Sequence, residues 1–160
     1  MMRQTKDIEQ KSSALQARFA GKVTLATDKE QLVITVNPPD LLDVLRFLRD
    51  AEGFKMDYLG DLTAVDYPEH FTVVYQLYSI ALQQSVVVKV NLDKQKPVVA
   101  SATPVWKGAN WLEREVYDMF GIDFSGHPYL ERILTAEGFE GYPLRKDFKL
   151  PDRSERRAVR

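Results

Sequence analysis

The residues after Gly121 carry no regular hydrophobic period, and this break limits what the chain can fold into. Gly126, Pro128, Gly138 and Gly141 interrupt any helical or strand pattern. About 40 residues without regular structure are uncommon in a compact domain unless they are functional or disordered. The first part of this stretch carries more large apolar side chains than disordered segments usually do. We therefore expect an extended C-terminal arm that packs on its own domain and on a partner.

Hydrophobic periodicity before Gly121 predicts an α+β fold with the element order αββαβββα. Strands that occur in runs, without regular helical crossovers, are typical of a largely antiparallel sheet with flanking helices. Asn37 is placed to cap the second helix, and Gly21, Gly53 and Gly121 are placed to end the three helices. We expect one structural unit, with an α+β domain over residues 1–120 and the arm over 121–160. The predicted strands are 22–27, 31–36, 58–65, 71–80 and 85–92, and the last helix is 110–120.

Composition excludes several kinds of site. The chain has no cysteine, which excludes disulfides, thiolate zinc sites and cysteine-ligated iron–sulfur clusters on it. A net charge of −1 gives no general attraction to nucleic acid, and the aromatic residues have no basic patch around them. Charges run through residues 1–19, and no run of about 18 apolar residues occurs, so we expect neither a signal peptide nor a membrane span.

The last predicted helix carries most of the candidate polar groups. Glu113 and Glu115 lie two residues apart, so they point to nearly opposite sides of a helix and cannot share a substrate. Asn110 and Glu113 fit a capping box at the start of the helix. Arg114 and Asp118 have the i, i+4 spacing of a helical ion pair. Capping and ion pairing therefore account for this helix without catalysis.

A metal site is the other interpretation, with Glu115, Asp118 and His127 as ligands. It would make the chain a stand-alone metal-dependent enzyme. The chain has two histidines and no paired-histidine helix motif, so the pattern does not favour it. His127 precedes Pro128, which is typical of an extended turn. No Gly-x-Ser-x-Gly nucleophile motif or phosphate-binding loop is present.

The sequence from Trp111 to Phe148, WLEREVYDMFGIDFSGHPYLERILTAEGFEGYPLRKDF, is the most specific motif of the chain. It closely resembles the signature of the 30 kDa-type subunit (C-subunit) of proton-pumping NADH:quinone oxidoreductase (respiratory complex I) and of related membrane-bound hydrogenase and oxidoreductase complexes. The order ERE, D, FG, GHP, RIL and PLRKD is too long for a chance match. The matching residues are Glu113, Arg114, Glu115, Asp118, Gly121, His127, Pro128, Arg132, Pro143, Arg145, Lys146 and Asp147.

The resemblance implies a cofactor-free structural subunit in the peripheral, quinone-module arm of an electron-transport translocase. In the family this subunit packs against a large subunit similar to that of nickel–iron hydrogenases, beside other peripheral subunits that carry the flavin and the iron–sulfur clusters. The isolated chain is expected to have no activity. Its expected location is the cytoplasmic side of the cell membrane. The alternative is the equivalent subunit of a membrane-bound hydrogenase or of a ferredoxin-driven relative.

We assign the motif residues to arm folding and subunit docking. Phe139, Tyr142 and Phe148 are the expected apolar anchors on the partner, and Arg145 is the expected charged one. Residues 145–160 hold seven basic and three acidic residues, so the end of the arm is locally positive. A chain that ends at residue 121 is expected to fold, and to fail to join its complex.

Overall fold

A computed structural model describes residues 2–29 and 31–150, with side chains from Ile8 onward. The part of the predicted positive segment (residues 145–160) that follows residue 150 lies outside the described residues. A 3-10 turn, Pro38–Asp40, precedes the second helix. The helices and strands are α1 (Met2–Arg18), β1 (Val23–Asp28), β2 (Gln31–Val36), α2 (Leu41–Asp50), β3 (Tyr58–Asp66), β4 (His70–Ser79), β5 (Gln84–Asp93), β6 (Val98–Ala100), α3 (Ala109–Phe120) and β7 (Asp123–Ser125).

Five strands form one mixed sheet in the order β1-β2-β5-β4-β3. The neighbours β1–β2, β5–β4 and β4–β3 are antiparallel, whereas β2 and β5 are parallel. Parallel neighbours need a long connection, and α2 with the β3–β4 hairpin supplies it here. The α+β class, the largely antiparallel sheet and the flanking helices agree with the sequence prediction.

The core lies between one face of this sheet and the helices. Side chains alternate along β2, where Leu32, Ile34 and Val36 are buried and the residues between them are half-buried. Helix α2 buries the stripe predicted for it at helical spacing. Each large apolar side chain removed from water contributes roughly 1.5–3 kcal/mol. The stripe consists of Leu41, Val44, Leu45 and Leu48.

Two local predictions were wrong, and two short strands were not predicted. Asn37 makes no side-chain cap, because Pro39 has no N–H at the second position and the Asp40 N–H at the third donates to the Asn37 backbone carbonyl at 3.0 Å. Helix α2 ends at Asp50 rather than at Gly53. Strands β6 and β7 were missed, since three residues are too short to show a period.

The core continues past the end of α3. Gly121 has φ 69° and ends the helix, as predicted. The next core side chains are Ile122 and Phe124, which are 0% and 1% exposed. Strand β7 contains Phe124 and pairs in parallel with β6. The expectation that a chain ending at residue 121 folds is therefore revised, because that chain would lack part of the core.

Candidate functional site

The motif residues surround α3, and the described part of the arm, residues 121–150, folds back onto the domain. The backbone N–H of Leu144 donates to the Met119 carbonyl at 3.1 Å. The backbone N–H of Lys146 donates to Asp66 Oδ2 at 2.8 Å, and Asp66 Oδ1 lies 2.5 Å from Lys94 Nζ. These contacts attach the arm both to the end of α3 and to the end of β3.

Asp118 attaches an earlier part of the arm. Its Oδ2 accepts hydrogen bonds from the backbone N–H groups of Ile133, Leu134 and Thr135 at 3.0, 2.7 and 2.9 Å. Its Oδ1 accepts from the Thr135 hydroxyl at 2.6 Å, and Arg132 Nη1 lies 3.4 Å away. Burial alone would raise the pKa of this carboxyl, but the hydrogen bonds outweigh burial and hold its pKa below the ordinary value. An ionised Asp118 therefore fixes the arm to α3.

Arg114 does not pair with Asp118, which corrects the sequence prediction. The arm supplies the donors to Asp118, and the Arg114 guanidinium instead lies between the rings of Trp111 and Tyr129, 5.1 Å from each centroid. Its Nε donates to the Glu131 carbonyl at 3.0 Å. Arg114 is 9% exposed, whereas Trp111 and Tyr129 are 64% and 56% exposed. The result is a nearly buried cation between two exposed aromatic rings.

Glu113 does not cap α3, which is a second correction. The helix begins at Ala109, one residue earlier than predicted, and no side chain caps it. Glu113 therefore falls too far along the helix for a capping box and points into the core. Its Oε2 accepts from the Ser101 hydroxyl and its Oε1 from the Ala102 N–H, both at 2.6 Å. Burial raises the pKa of Glu113 from 4.5 to about 7, although these two hydrogen bonds partly oppose the rise.

His127 lies beside Glu113 as a neutral imidazole. Its Nδ1 accepts from the backbone N–H of Tyr129 at 3.0 Å, so the proton is on Nε2, which donates to the Asn110 carbonyl at 3.1 Å. Nε2 is 3.9 Å from Glu113 Oε2. Across the core, burial and the Glu113 charge raise the pKa of the Tyr75 hydroxyl. The hydrogen bond from His127 to the Asn110 carbonyl therefore joins the turn that begins the arm to α3.

Gly121 is required by the packing of the arm as well as by its own backbone. A Cβ atom at Gly121 would lie 2.5 Å from the Tyr142 ring and 2.8 Å from Arg145 Nη2. The Tyr142 ring lies between two cations, Arg132 at 5.0 Å and Arg145 at 4.6 Å. Arg145 also lies 5.1 Å from the Phe71 ring, and its Nε donates to the Phe120 carbonyl at 2.6 Å. Tyr142 and Arg145, predicted as anchors on a partner, thus make contacts within their own chain.

The other predicted site residues either contact their own chain or lie on its surface. Phe139 and Phe148 stack on each other with centroids 5.9 Å apart. Pro143 is half-buried, and Glu115 is exposed on the opposite side of α3 from Glu113. The remaining motif residues that are exposed are Pro128, Lys146 and Asp147. A docking role for the fifteen predicted site residues stays a prediction.

The proposed metal ligands are not brought together. Asp118 binds the arm backbone, His127 contacts Asn110 and Tyr129, and Glu115 faces solvent. Within residues 2–29 and 31–150, no group of three or more histidine, aspartate or glutamate side chains is arranged to hold a metal ion. None of the helices in these ranges is both long and apolar enough to cross a bilayer.

Sequence reasoning missed the residues that receive the arm on the sheet side. Asp66 accepts from the N–H of Lys146, which lies 80 positions later, and Phe71 contacts Arg145. Ser101, which binds Glu113, was also missed. No local pattern identifies these residues, because their partners are distant along the chain.

An open cleft lies away from the motif. It has a volume of about 630 Å³, lies between the end of α1 and α2, and is lined by Phe19, Phe47 and charged side chains. None of the motif residues lines it, so it does not belong to the candidate site.

Comparison with known proteins places this chain in a family. Residues 34–154 match the family model described as respiratory-chain NADH dehydrogenase, 30 kDa subunit. The C-subunit of NADH-quinone oxidoreductase from Roseiflexus sp. (strain RS-1) is 43% identical over 146 residues, which cover 89% of this chain and 82% of that protein. The C-subunit of the same enzyme from Brucella ovis is 52% identical over 123 residues, which cover 75% of this chain and 60% of that protein.

The mitochondrial NADH-ubiquinone oxidoreductase 30.4 kDa subunit of Neurospora crassa is 44% identical over 130 residues, which cover 79% of this chain. The chain spans only 46% of that protein and 60% of the Brucella protein, so both relatives extend well beyond the matched part.

Two solved structures share the fold. One is Nqo5, as its trypsin-resistant fragment of residues 1–134, with a TM-score of 0.65 and 26% identity, covering 78% of this chain and 99% of that one. The other belongs to the membrane-bound sulfane sulfur reductase, an archaeal respiratory membrane complex, with a TM-score of 0.76 and 26% identity over 89% of this chain and 85% of that one. With a family model matched over most of its length and a relative 43% identical over 146 residues, the chain belongs to the family of the 30 kDa subunit of respiratory-chain NADH dehydrogenase.

Proposed function

We propose that the chain is a cofactor-free assembly subunit in the peripheral, quinone-module arm of a complex I-type NADH:quinone oxidoreductase, docked on the hydrogenase-like large subunit. One observation carries this proposal: α3 and the arm expose large apolar side chains although the arm is fastened to its own domain. Exposed apolar groups that gather in one region mark interaction surfaces. In α3 and the described arm they are Trp111, Tyr129, Leu134, Leu144 and Leu150, each exposed by 55% or more.

The hydrogen bonds that the buried carboxylates make within the chain support a structural role rather than a catalytic one. Asp118 binds arm backbone and Glu113 binds the segment that follows β6, so neither carboxylate is directed at a substrate. The chain has no cysteine with which to ligate a cluster. We therefore assign the flavin and the iron–sulfur clusters to partner subunits. A stand-alone enzyme that uses Glu115, Asp118 and His127 is not favoured, because these side chains do not converge.

A second candidate is the equivalent subunit of a membrane-bound hydrogenase or of a ferredoxin-driven relative. The observation in its favour is the likeness, at a TM-score of 0.76, to a chain of the membrane-bound sulfane sulfur reductase, a respiratory membrane complex other than NADH-quinone oxidoreductase. The fold and the arm serve both candidates equally, since the electron donor is bound by other subunits. In either complex the proposed position is peripheral, on the cytoplasmic side of the membrane, and attachment to the membrane is through partner subunits.

Purification of the tagged full chain from its source cells tests the proposal. We expect the hydrogenase-like large subunit and its peripheral neighbours to co-purify, and mass spectrometry of the whole set identifies the donor module and so separates the two candidates. Deletion of the gene should lower NADH:quinone reductase activity and leave the large subunit unassembled. The isolated chain should be colourless. Stoichiometric flavin or iron in the pure chain, or turnover by it, would contradict the proposal.

A further inference from the structure

We infer that the Arg114 guanidinium, held between Trp111 and Tyr129, receives a carboxylate of the partner subunit at the centre of the docking surface. This inference rests on the proposed docking function and names the chemical group that the surface recognises. It follows from the burial of Arg114, from the donors that the described residues leave without an acceptor, and from the exposure of the two rings.

Arg114 is a charge withdrawn from water without a counter-ion in the described part of its chain. Only 9% of the residue is exposed. Asp118, at the spacing of a helical ion pair, is taken by Thr135 and Arg132. The Tyr129 hydroxyl donates to the Glu131 carboxylate, and among the described residues no ion pair joins that carboxylate to Arg114. Two cation–π contacts compensate part of the desolvation of a guanidinium, but a buried charge is normally also paired.

The contacts of Arg114 leave one edge of the guanidinium for another acceptor. Within residues 2–29 and 31–150, its recorded acceptor is the Glu131 carbonyl, which binds Nε at 3.0 Å. The two terminal amines, Nη1 and Nη2, form the other edge. Because the Nε contact and the nearby rings of Trp111 and Tyr129 hold the guanidinium in place, these amines are pre-positioned.

A carboxylate on a protein surface is the ligand that fits this arrangement. Two parallel N–H donors match the two oxygens of a carboxylate in a bidentate pair. Trp111 and Tyr129 are more than half exposed, so a docked protein can cover both rings and exclude water from the pair. Tryptophan, tyrosine and arginine are also the residues that most often dominate binding at the centre of interfaces. A small free anion would leave both rings exposed.

The test measures binding of the full chain to the purified large subunit. Arg114→Gln removes the charge, and Arg114→Lys keeps the charge but loses the planar pair of donors. The matched control is Arg46→Gln, since Arg46 is an exposed helical arginine 3.8 Å from Asp43. We expect the Kd to rise roughly 30-fold or more for Arg114→Gln, less for Arg114→Lys, and to stay within about twofold for the control.

Unchanged affinity in both Arg114 variants overturns the inference but leaves the docking proposal intact. Failure of the wild-type chain to bind overturns the docking proposal, and the inference with it. Thermal unfolding of each variant alone shows whether a loss of affinity comes from the fold, since Arg114 also holds the Glu131 carbonyl.

A second measurement uses the wild-type chain and does not depend on variants of Arg114. Carbodiimide-driven amidation of the large subunit, mapped by mass spectrometry, should find one carboxylate that the bound chain protects, and changing that residue to alanine should weaken binding as much as Arg114→Gln does. Equal labelling with and without the bound chain overturns the inference. Inorganic phosphate at millimolar concentration should not compete, and competition would show a free-anion site instead.

Discussion

Two buried carboxylates on α3, Glu113 and Asp118, are both 0% exposed, and yet their surroundings shift their pKa values in opposite directions. Asp118 receives three backbone N–H groups, a hydroxyl and an arginine, and its pKa lies below the ordinary value. Glu113 receives one hydroxyl and one N–H, and its pKa rises to about 7. The comparison teaches that zero exposed surface does not by itself decide whether a carboxylate remains charged, because desolvation outweighs two donors at Glu113 whereas the hydrogen bonds outweigh desolvation at Asp118.

The regions of α3 around Asp118 and around Glu113 therefore have different structural roles. The Asp118 region is an ionic attachment that needs residues 132–135 of the arm. The Glu113 region belongs to the core and needs only the segment after β6 and the turn at His127. The predictions below separate the two regions, and the largest effect comes first.

Shortening the chain should separate the regions most strongly. A chain that ends at residue 121 lacks Ile122 and Phe124, and truncation of a large core side chain costs about 2–5 kcal/mol, against a total stability of about 5–15 kcal/mol. We expect it to show no cooperative thermal unfolding by circular dichroism. A chain that ends at residue 130 keeps the Glu113 region and should still unfold cooperatively, at a lower temperature. Cooperative unfolding of the shorter chain would show that the arm is dispensable for the core.

Asp118→Ala should release the arm from α3. The three backbone N–H groups of residues 133–135 lose their acceptor, and each buried donor left without a partner costs about 1–3 kcal/mol. Since a released arm is partly solvated, we expect a loss of about 4 kcal/mol in the free energy of unfolding by urea titration. Hydrogen exchange at residues 133–135 should become fast. Continued protection of these amides would mean that Asp118 does not hold the arm.

The depressed pKa of Asp118 adds a dependence on acid. Its contribution to stability is present above its unfolded pKa of 3.8 and is lost as the pH falls through the lower folded value. The wild type should therefore lose more stability than Asp118→Ala on acidification below pH 3.8, as followed by urea titration. Parallel losses in the two proteins would contradict an ionised Asp118.

Glu113 contributes a pH dependence of stability that is opposite in sign to that of Asp118, and Glu113→Gln should remove it. The folded carboxyl, with a pKa of about 7, holds its proton more tightly than the unfolded chain, with a value of 4.5. Its stabilisation is therefore fully present below pH 4.5 and is lost as the pH rises through 7, a difference on the order of 3 kcal/mol. Relative to the wild type, the neutral variant should gain stability between about pH 5 and about pH 8. If the wild type and Glu113→Gln had identical urea midpoints across this range, the pKa of Glu113 in the folded chain would lie near its ordinary value.

Glu115→Gln is the matched control on the same helix, with the smallest expected effect. Glu115 is exposed, and surface substitutions of this kind usually change stability by less than about 0.5 kcal/mol. We expect the same urea midpoint as the wild type at neutral pH, and the same pH dependence. A large effect would mean that this side of α3 has a structural contact.

The parts of the fold that depend on short sequence windows could be predicted. The α2 stripe and the alternating strand β2 show their periods directly, and the strand limits of β2 are those predicted. Gly121 was predicted as a helix end because a positive φ favours glycine. The family could also be identified from the motif, since its residues are close together along the chain.

The pairing of the polar residues could not be predicted in the same way. Arg114 and Asp118 have the spacing of a helical ion pair, but such a pair contributes only about 0.2–0.5 kcal/mol. The arm offers Asp118 three backbone N–H groups and a hydroxyl, and it offers Arg114 a carbonyl. This larger set of bonds is available only after the chain has folded back from residue 131 onward.

The sequence by itself therefore determined the order of the three helices and the five longer strands, the end of α3 and the family, because each depends on residues that are neighbours along the chain. Only the tertiary structure decided that Glu113 is a core residue with a raised pKa, that Asp118 is the ionised attachment of the arm, and that Arg114 lies between two rings and forms no ion pair with a carboxylate of the described residues. Each of these outcomes depends on which distant groups arrive beside a side chain, and the free energy of a buried polar network exceeds that of any local pair.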